Sequence, residues 1–265
     1  MKILIIGDIH GRSFWREPVM QYIDEVDKVI FLGDELDPYP DEDEKPSFED
    51  SLAVLEELID LKKKYQDKVV LILGNHSMHY RNEYFGEIAR STRYNFKFAD
   101  SATKLYNEDV NNFQIIKVLE MGGKRVIFSH AGISDFWLRE SSVKLDDNFE
   151  DNINSMEFSK EGLNKLGMIG KYRTWFGYKT GSPLWCDLRE MVDDGGIDDD
   201  NTIQIFGHTR LGKGTAFKIW DMYCVDSQTV YMMDDSLELV PIKEEGVEYK
   251  TEEIKALRKK HRKRR

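Results

Sequence analysis

Short, almost wholly apolar runs recur along the chain, and they predict strands that are buried on both faces of a sheet. Each run is followed at once by glycine or serine and then by residues with polar side chains. Because loops at strand ends can carry chemistry, we expect one site to be assembled along one edge of a sheet. The five runs are residues 3–6, 29–32, 69–73, 126–128 and 203–206.

Apolar residues at helical spacing separate the first three runs. They predict helices over residues 14–26 and 48–65, the second of which ends in three lysines that suit the carboxyl end of a helix. Residues 1–76 therefore read as β-α-β-α-β. Since helical crossovers join parallel strands, we expect the first three strands to be parallel.

The rest of the chain has a different pattern. Helices are predicted within 80–89 and 156–166, and a hairpin is predicted to turn at Gly122 and Gly123. Closely spaced runs after residue 200 predict an antiparallel second half, with strands at 203–206, 215–220, 222–225, 229–233 and 238–242. No linker interrupts the chain. We therefore expect one α/β domain of the α+β type over residues 1–250, with two packed sheets, and a basic tail over 251–265.

Composition narrows the class of protein. The 265 residues are 40% hydrophobic and 33% charged, which is typical of a globular protein. No apolar run approaches the roughly 20 residues that span a bilayer, so no membrane association is expected. The chain has only two cysteines, Cys186 and Cys224, and no secretory signal pattern, which favours a reducing, cytoplasmic location.

Charge is distributed unevenly. The net charge is −11, but residues 255–265 contain eight basic residues and no acidic one. The remainder has 30 basic against 49 acidic residues, a net charge of −19. Such an acidic body disfavours non-specific binding of long nucleic acid, so any contact with nucleic acid is expected only through the tail.

The predicted strand ends carry two carboxylates, one amide and three imidazoles. This mixture of oxygen and nitrogen ligands suits Mn²⁺, Fe²⁺ or Zn²⁺ better than Ca²⁺. Six ligands are too many for one structural zinc, and they fit two ions about 3.5–4 Å apart that share a carboxylate and activate a water for attack on phosphorus. The six residues are Asp8, His10, Asp34, Asn75, His130 and His208.

The same residues lie in five ordered motifs: GDIHG at 7–11, GDELD at 33–37, GNH at 74–76, HAG at 130–132 and GHT at 207–209. In this order they resemble the calcineurin-like metallophosphoesterases, and within them the phosphoprotein-phosphatase branch. The resemblance implies a two-sheet sandwich flanked by helices. It assigns one ion to Asp8, His10 and Asp34, and the other to Asp34, Asn75, His130 and His208.

The resemblance also implies that His76 protonates the leaving oxygen and that Asp37 orients it. An imidazole paired with a carboxylate is a competent acid, and His76 is adjacent to a proposed ligand. The other histidines in the chain, His79 and His261, are expected to be structural or solvated.

Three positions bear on the branch of the family, and two of them depart from the phosphatase pattern. Arg210 follows the last motif where broader relatives carry a histidine, which favours the phosphatase branch. However, Pro38 stands where an arginine that binds phosphate is expected, and Ser77 stands where an acid commonly follows GNH. Because guanidinium groups match phosphate oxygens, another arginine is expected to bind the phosphate. Arg189 is the first candidate, since residues 183–189 resemble a phosphate-binding region of bacterial members; Arg12, Arg81 and Arg210 are the next.

The expected activity is metal-dependent hydrolysis of a phosphomonoester, of a phosphoprotein or a small molecule, by a serine/threonine phosphatase-like enzyme. No nucleotide cofactor is expected. One alternative is hydrolysis of a bis-nucleoside polyphosphate or phosphodiester, since residues 129–134 also resemble the family members that cleave bis-nucleoside polyphosphates. Others are a non-catalytic scaffold with the same fold and an RNA-end phosphatase guided by the basic tail. The acidic stretch 41–44 is interpreted as a solvated loop.

Overall fold

Two six-stranded sheets form the centre of the molecule in a computed structural model that describes residues 1–40 and 45–253. The strands are β1 (Lys2–Ile6), β2 (Lys28–Phe31), β3 (Val69–Ile72), β4 (Phe113–Gln114), β5 (Ile116–Met121), β6 (Lys124–Ser129), β7 (Thr202–Phe206), β8 (Thr215–Ile219), β9 (Met222–Cys224), β10 (Val230–Asp234), β11 (Val240–Pro241) and β12 (Lys250–Glu253).

The α-helices connect and cover these strands. In the described residues they are α1 (Arg16–Tyr22), α2 (Phe48–Tyr65), α3 (Asn75–Arg81), α4 (Glu83–Ile88), α5 (Ala99–Glu108), α6 (Asp135–Ser141), α7 (Phe149–Asn154), α8 (Lys160–Leu166) and α9 (Leu188–Asp194). The predicted α/β class, with two sheets flanked by helices, is confirmed.

The first sheet has the order β11-β10-β1-β2-β3-β4. β1, β2 and β3 are parallel, as the β-α-β-α-β pattern predicted. β10 then adds on the other side of β1 in the antiparallel direction, pairing Lys2 with Asp234. The sheet therefore combines four strands from residues 2–114 with two strands from residues 230–241.

The second sheet has the order β12-β8-β9-β7-β6-β5. The hairpin of β5 and β6 turns at Gly122 and Gly123 as predicted. The prediction of an antiparallel second half is wrong in part, because β7 is parallel to both β6 and β9. A long connection that contains α6 to α9 joins β6 to β7, and such a crossover leaves two strands parallel.

The apolar runs are continuous because their strands are covered on both faces. In β1, Ile3 and Ile5 face the second sheet, whereas Leu4 and Ile6 pack into the core beneath the helices. Successive side chains of a strand point to opposite faces, so a strand between two apolar layers needs apolar residues at every position. The five runs belong to two sheets, so the expectation of a single sheet edge is corrected: β1, β2 and β3 lie in the first sheet, β6 and β7 in the second.

Helix α2 has the predicted bounds. Ser47 and Asp50 form a capping box at its start, and its buried face includes Val54, Leu55 and Leu58. Helix α1 is shorter than the predicted 14–26, and the helix predicted within 80–89 is replaced by α3 and α4. No helix in the described ranges has both the length and the apolar character needed to cross a bilayer.

The predicted tail begins inside a strand. Residues 250–253 form β12, which pairs with β8 in the parallel direction. The remainder of the tail, from residue 254, and the acidic stretch 41–44 lie outside the described residues. The limits of the predicted domain stay a prediction.

Candidate active site

Three of the predicted ligands converge at the ends of β1 and β2. His10 Nε2 lies 3.8 Å from Asp8 Oδ2 and 3.8 Å from Asp34 Oδ2. The other ring nitrogen, Nδ1, is 2.7 Å from the carbonyl oxygen of Leu36 and donates its proton there. This hydrogen bond leaves the lone pair of Nε2 facing the two carboxylates, which is the usual arrangement of a metal-binding histidine.

The remaining three ligands converge from both sheets and from the start of α3. His130 Nε2 lies 3.0 Å from Asn75 Oδ1, 2.9 Å from His208 Nδ1 and 3.3 Å from Asp34 Oδ2. His130 Nδ1 is 2.8 Å from the carbonyl oxygen of Leu32, so this ring is also oriented by a backbone acceptor. The structure thus brings together all six residues that the sequence proposed.

Asp34 lies between the two groups. Its Oδ1 accepts a hydrogen bond of 2.8 Å from the backbone N–H of His76, and its Oδ2 faces both His10 and His130. Asp8 is fixed in the same manner, since its Oδ1 accepts the backbone N–H of His208 at 2.8 Å. One oxygen of each carboxylate is therefore held by backbone, and the other is directed at the imidazoles.

Two motif glycines leave space for these carboxylates. A Cβ on Gly74 would overlap Asp34 Oδ1, and a Cβ on Gly207 would overlap Asp8 Oδ1. The glycines that precede the ligands in GNH and GHT are thus required by close approach of a carboxylate to the backbone.

Several site residues adopt strained backbone conformations. His10, Asp34, Asp37 and His208 have φ angles of 49°, 55°, 58° and 65°, in the left-handed region that residues with a side chain rarely occupy. Such strain persists only where surrounding contacts enforce it, and it clusters at functional sites. Here it turns the side chains of the strand-end loops toward one another.

The charges of the buried site suit divalent cations. Burial opposes ionisation of Asp34, but His130, His76 and His10 outweigh this effect and hold its pKa well below the usual range. Burial also opposes a charge on His130, yet Asp34 and Asp8 raise its pKa to about 9. Burial lowers the pKa of His10, which keeps it neutral and able to bind metal.

Whether these residues suit a metal ion can be tested by asking if a proposed ligand atom is buried without a hydrogen-bond partner. His10 Nε2 is buried and has no hydrogen-bond partner among the residues that the structure describes. Buried polar atoms are nearly always paired, so an unpaired imidazole nitrogen between two carboxylates points to a cation. Two groups that can each hold one ion share Asp34: Asp8, His10 and Asp34, and Asp34, His130 and His208.

Beside these groups, Asp37 and His76 form a hydrogen-bonded pair. His76 Nδ1 lies 2.6 Å from Asp37 Oδ2, and the hydroxyl of Tyr80 donates to Asp37 Oδ1 at 2.6 Å. His79 Nε2 lies 3.0 Å from the same carboxylate. Burial raises the pKa of Asp37, but the neighbouring His76 and His79 outweigh it and lower this pKa to about 2.

His79 was expected to be structural, and sequence reasoning missed its contact with Asp37. The backbone N–H of Ser91 donates to His79 Nδ1 at 3.3 Å, which places the ring proton on Nε2, toward Asp37. The spacing of His76 and His79 was the available signal, because residues three apart on a helix lie on one face.

The environment of Ser77 explains one departure from the phosphatase pattern. Ser77 Oγ donates to Glu35 Oε2 at 2.6 Å, and Tyr106 donates to the same oxygen at 2.8 Å. The acid missing after GNH is thus supplied from the GDELD motif. Burial raises the pKa of Glu35.

The structure places an arginine that the sequence analysis did not single out beside His76. Arg93 Nη2 lies 3.0 Å from His76 Nε2, and its Nη1 donates to the carbonyl oxygen of Asp37 at 2.7 Å. The guanidinium stacks on the ring of Tyr39, 3.7 Å from its centre, and Arg210 lies 4.7 Å from the same ring. Tyr39 in turn contacts the ring of His10, with 4.8 Å between ring centres.

Of the four arginines proposed from the sequence, Arg210 lies over Tyr39 beside Arg93, and the other three bind acidic side chains or backbone carbonyls. Arg189 is largely exposed and binds Asp187 at 2.8 Å, while its guanidinium lies over Tyr172. Arg12 is buried and donates to the carbonyl oxygens of Ile9 and Asp8. Arg81 is buried against Glu157, 2.5 Å away.

Comparison with known proteins places this site in a family. Residues 1–217 match the family described as calcineurin-like phosphoesterase. No curated protein sequence matches the chain.

Among solved structures, the chain is similar to a cold-active protein-tyrosine phosphatase from a psychrophilic Shewanella species. The TM-score is 0.55 at 15% identity, over 91% of this chain and 77% of that one. A protein serine/threonine phosphatase from Saccharomyces cerevisiae gives a TM-score of 0.54 at 16% identity, over 94% and 81% of the two chains.

At such low identities the two structures show a shared fold alone. The family match shows more, because it rests on the sequence over residues 1–217 and includes both groups of residues that could hold a metal ion. The chain belongs to the calcineurin-like phosphoesterase family.

Proposed function

We propose that this protein is a phosphomonoesterase that uses two divalent metal ions, Mn²⁺, Fe²⁺ or Zn²⁺. The observation that carries the proposal is the position of Asp34, whose Oδ2 faces His10 on one side and His130 on the other. A shared carboxylate between two groups of ligands is what a pair of adjacent cations requires. The neighbouring pair of Asp37 and His76 adds a proton donor to this arrangement.

The residues divide the work of phosphate ester hydrolysis. Bound metal ions would supply an activated water and neutralise charge on the phosphoryl oxygens. His76 Nε2 accepts from Arg93 in this structure, so His76 is proposed to gain a proton at Nε2 for the leaving oxygen once phosphate binds Arg93, and Asp37 fixes the ring by accepting from Nδ1. Arg93 is proposed to bind phosphoryl oxygens with its fork of N–H groups, in place of the arginine that Pro38 replaces.

The substrate is proposed to be a phosphomonoester of a protein or a small molecule. Hydrolysis of a bis-nucleoside polyphosphate or phosphodiester is the second candidate, and Arg210 beside Tyr39 supports it, because it adds a cation that can bind a second phosphate. A non-catalytic scaffold has less support, since it has no need of the 2.6 Å bond between Asp37 and His76.

The first experiment measures p-nitrophenyl phosphate hydrolysis with added Mn²⁺, Fe²⁺ or Zn²⁺, together with metal content. Asp34→Asn is expected to abolish turnover and lower metal occupancy, because it weakens the shared ligand. His76→Asn is expected to lower kcat by about 10²–10⁴-fold while both ions stay bound, as for loss of a general acid.

The outcomes separate the alternatives. Native turnover in Asp34→Asn would contradict the site, and loss of metal in His76→Asn would make that histidine a ligand. Inactivity of the native protein with every metal would favour a scaffold. Comparing a phosphopeptide with a dinucleoside tetraphosphate then distinguishes the two enzymatic candidates.

A further inference from the structure

The exposed aromatic side chains of the protein are concentrated in two segments. In the described ranges, six aromatic residues are at least 40% exposed, and all but Phe158 lie within residues 90–98 or 171–179. We call these the aromatic–basic segments. Their sequences are RSTRYNFKF and KYRTWFGYK, and the exposed rings are Phe96, Tyr172, Trp175, Phe176 and Tyr178.

Both aromatic–basic segments lack acidic residues in a chain that has 49 of them. Each contains three basic residues interleaved with aromatic ones. Some of these cations are paired with neighbouring acids, such as Lys171 with Asp193 and Lys179 with Asp194. Arg90 instead lies over Tyr94, 4.7 Å from its ring centre. Basic and aromatic residues in alternation are the pattern by which proteins bind nucleotide units, through phosphate and base.

Both segments contact residues of the candidate active site directly, the first at the proposed proton donor His76 and the second at the proposed metal ligand His208. Arg93, from the first segment, lies 3.0 Å from His76 Nε2. Arg173, from the second, donates to the carbonyl oxygen of His208 and to Thr209 Oγ1, each at 3.1 Å. Residues that follow these arginines by two to five positions can lie no farther than about 7–18 Å from them along the chain, which is the reach of two to five extended residues.

The backbone of the second segment is anchored on both sides of its middle residues, whose aromatic side chains are exposed. The backbone N–H of Tyr178 donates to Ile169 at 2.9 Å, and that of Tyr172 donates to Glu190 Oε1 at 3.0 Å. Between these anchors, Trp175 and Phe176 are 99% and 96% exposed. A backbone held at both ends thus presents two adjacent rings that contact almost nothing within the chain.

We infer that the substrate of this site carries a planar aromatic base, as a nucleoside phosphate does. The phosphate would enter between Arg93 and the metal-binding residues, and the base would stack on Trp175 or Phe176. This inference rests on the proposed phosphomonoesterase function and names its substrate class. The acidic remainder of the chain favours a mononucleotide or a short single strand over long nucleic acid.

The kinetic test compares adenosine 5′-monophosphate with ribose 5-phosphate, which differs by lacking the base. The native protein is expected to have a higher kcat/KM for the nucleotide by about 10-fold or more, the size of one stacking contact. In the double variant Trp175→Ala, Phe176→Ala this ratio is expected to approach one. Phe158→Ala, an exposed aromatic outside both segments, is the matched control and keeps the native ratio.

A second comparison shows whether the natural substrate is a free nucleotide or the end of a strand. It sets kcat/KM for 5′-phosphorylated hexadeoxythymidylate against kcat/KM for adenosine 5′-monophosphate. A higher kcat/KM for the hexanucleotide means the end of a single strand, and a higher value for the mononucleotide means a free nucleotide. A native ratio of one between adenosine 5′-monophosphate and ribose 5-phosphate would overturn the inference, as would a double variant with the native ratio. Neither result would affect the proposed phosphomonoesterase function.

A binding measurement keeps the two proposals separable. Trp175 is the only fully exposed tryptophan among the five, all of which are described, so it dominates quenching of fluorescence by iodide. In the full-length protein with Mn²⁺, adenosine 5′-monophosphate is expected to protect this fluorescence and ribose 5-phosphate is not. Protection without turnover of any phosphomonoester would overturn the function but support the base site, and absence of protection would overturn the base site.

Discussion

Asp34 and Asp37 carry the same carboxylate three positions apart, and their surroundings give them different chemistry. Asp34 has one oxygen held by the backbone of His76 and the other directed at the imidazoles of His10 and His130. Asp37 is saturated instead, because His76, Tyr80 and His79 all approach it. An unsaturated carboxylate can bind a cation, whereas a saturated one can only orient its donors.

Because these donors lower the pKa of Asp37, they should make the free energy of unfolding depend on pH. The lowered pKa of Asp37, about 2 against an ordinary 3.8, means that the folded state favours its charged form. A group of this kind stabilises the fold above its unfolded pKa, and the contribution is lost as pH falls through its folded pKa. The native protein is therefore expected to be more stable than Asp37→Asn at about pH 5. This difference in free energy of unfolding should shrink by about 2 kcal/mol by about pH 2.

Urea unfolding of both proteins, with a chelator present, measures this difference at each pH. The chelator removes any contribution of bound metal from the comparison. A difference that stays constant over this range would mean that Asp37 gains nothing from its charge in the folded state.

Arg93 and Arg189 can be compared as the residue that binds phosphate. Arg93→Ala is expected to raise KM for p-nitrophenyl phosphate by about 10-fold or more and to change kcat less, because charged hydrogen bonds to the phosphate are lost. Arg189→Ala is expected to have a smaller effect, since Asp187 already binds that guanidinium. Arg93→Lys keeps the charge without the fork and should fall between native and Arg93→Ala. A larger effect at Arg189 than at Arg93 would restore the assignment made from the sequence.

At the scale of the elements, the first 76 residues were predicted well because their signals are local. Continuous apolar runs and the stripe of α2 predicted three parallel strands, and the motifs singled out residues that the structure brings together. The pairing of β7 with β6 and β9 was missed, because partners in a sheet are distant in sequence. Arg93 was missed for a similar reason: it approaches His76 from a loop with no motif of its own.

The strand-end glycines allow a test at this scale. Gly74 has φ −96° and ψ −179°, which any residue adopts, so the obstacle to a larger residue is overlap with Asp34: a Cβ would overlap its Oδ1 and meet its backbone nitrogen at 2.8 Å. Gly74→Ala is expected to displace this carboxylate, lower metal occupancy and activity, and destabilise the fold by about 1–3 kcal/mol. Metal analysis and chemical unfolding measure the two effects.

Gly212→Ala is the matched control for this substitution. A Cβ at that position would meet Thr215 Oγ1 at 3.7 Å, an ordinary contact, so native metal content is expected. Full metal occupancy in Gly74→Ala would show that the loop relaxes without moving Asp34.

On the scale of the whole molecule, the basic tail and the acidic body are separable by deletion. Removing residues 255–265 changes the net charge from −11 to −19. We expect kcat/KM for p-nitrophenyl phosphate to stay unchanged, while affinity for single-stranded RNA falls and depends less steeply on salt. RNA titrations at several salt concentrations measure both quantities. Unchanged affinity and salt slope would exclude the tail as a nucleic-acid contact.

The proposed ions would also join the two sheets. Asp8 and Asp34 follow strands of the first sheet, whereas His130 and His208 follow strands of the second. A ligand that binds only the folded state at 100 times its Kd stabilises it by about 2.7 kcal/mol, which corresponds to a Tm higher by about 5–10 °C in a chain of this size. Removing metal with a chelator is therefore expected to lower Tm by this amount, and restoring Mn²⁺ should reverse the change. Asp34→Asn is the control, because it should show little response to either treatment. An equal response in that variant would mean that the stabilising ion binds outside the shared carboxylate.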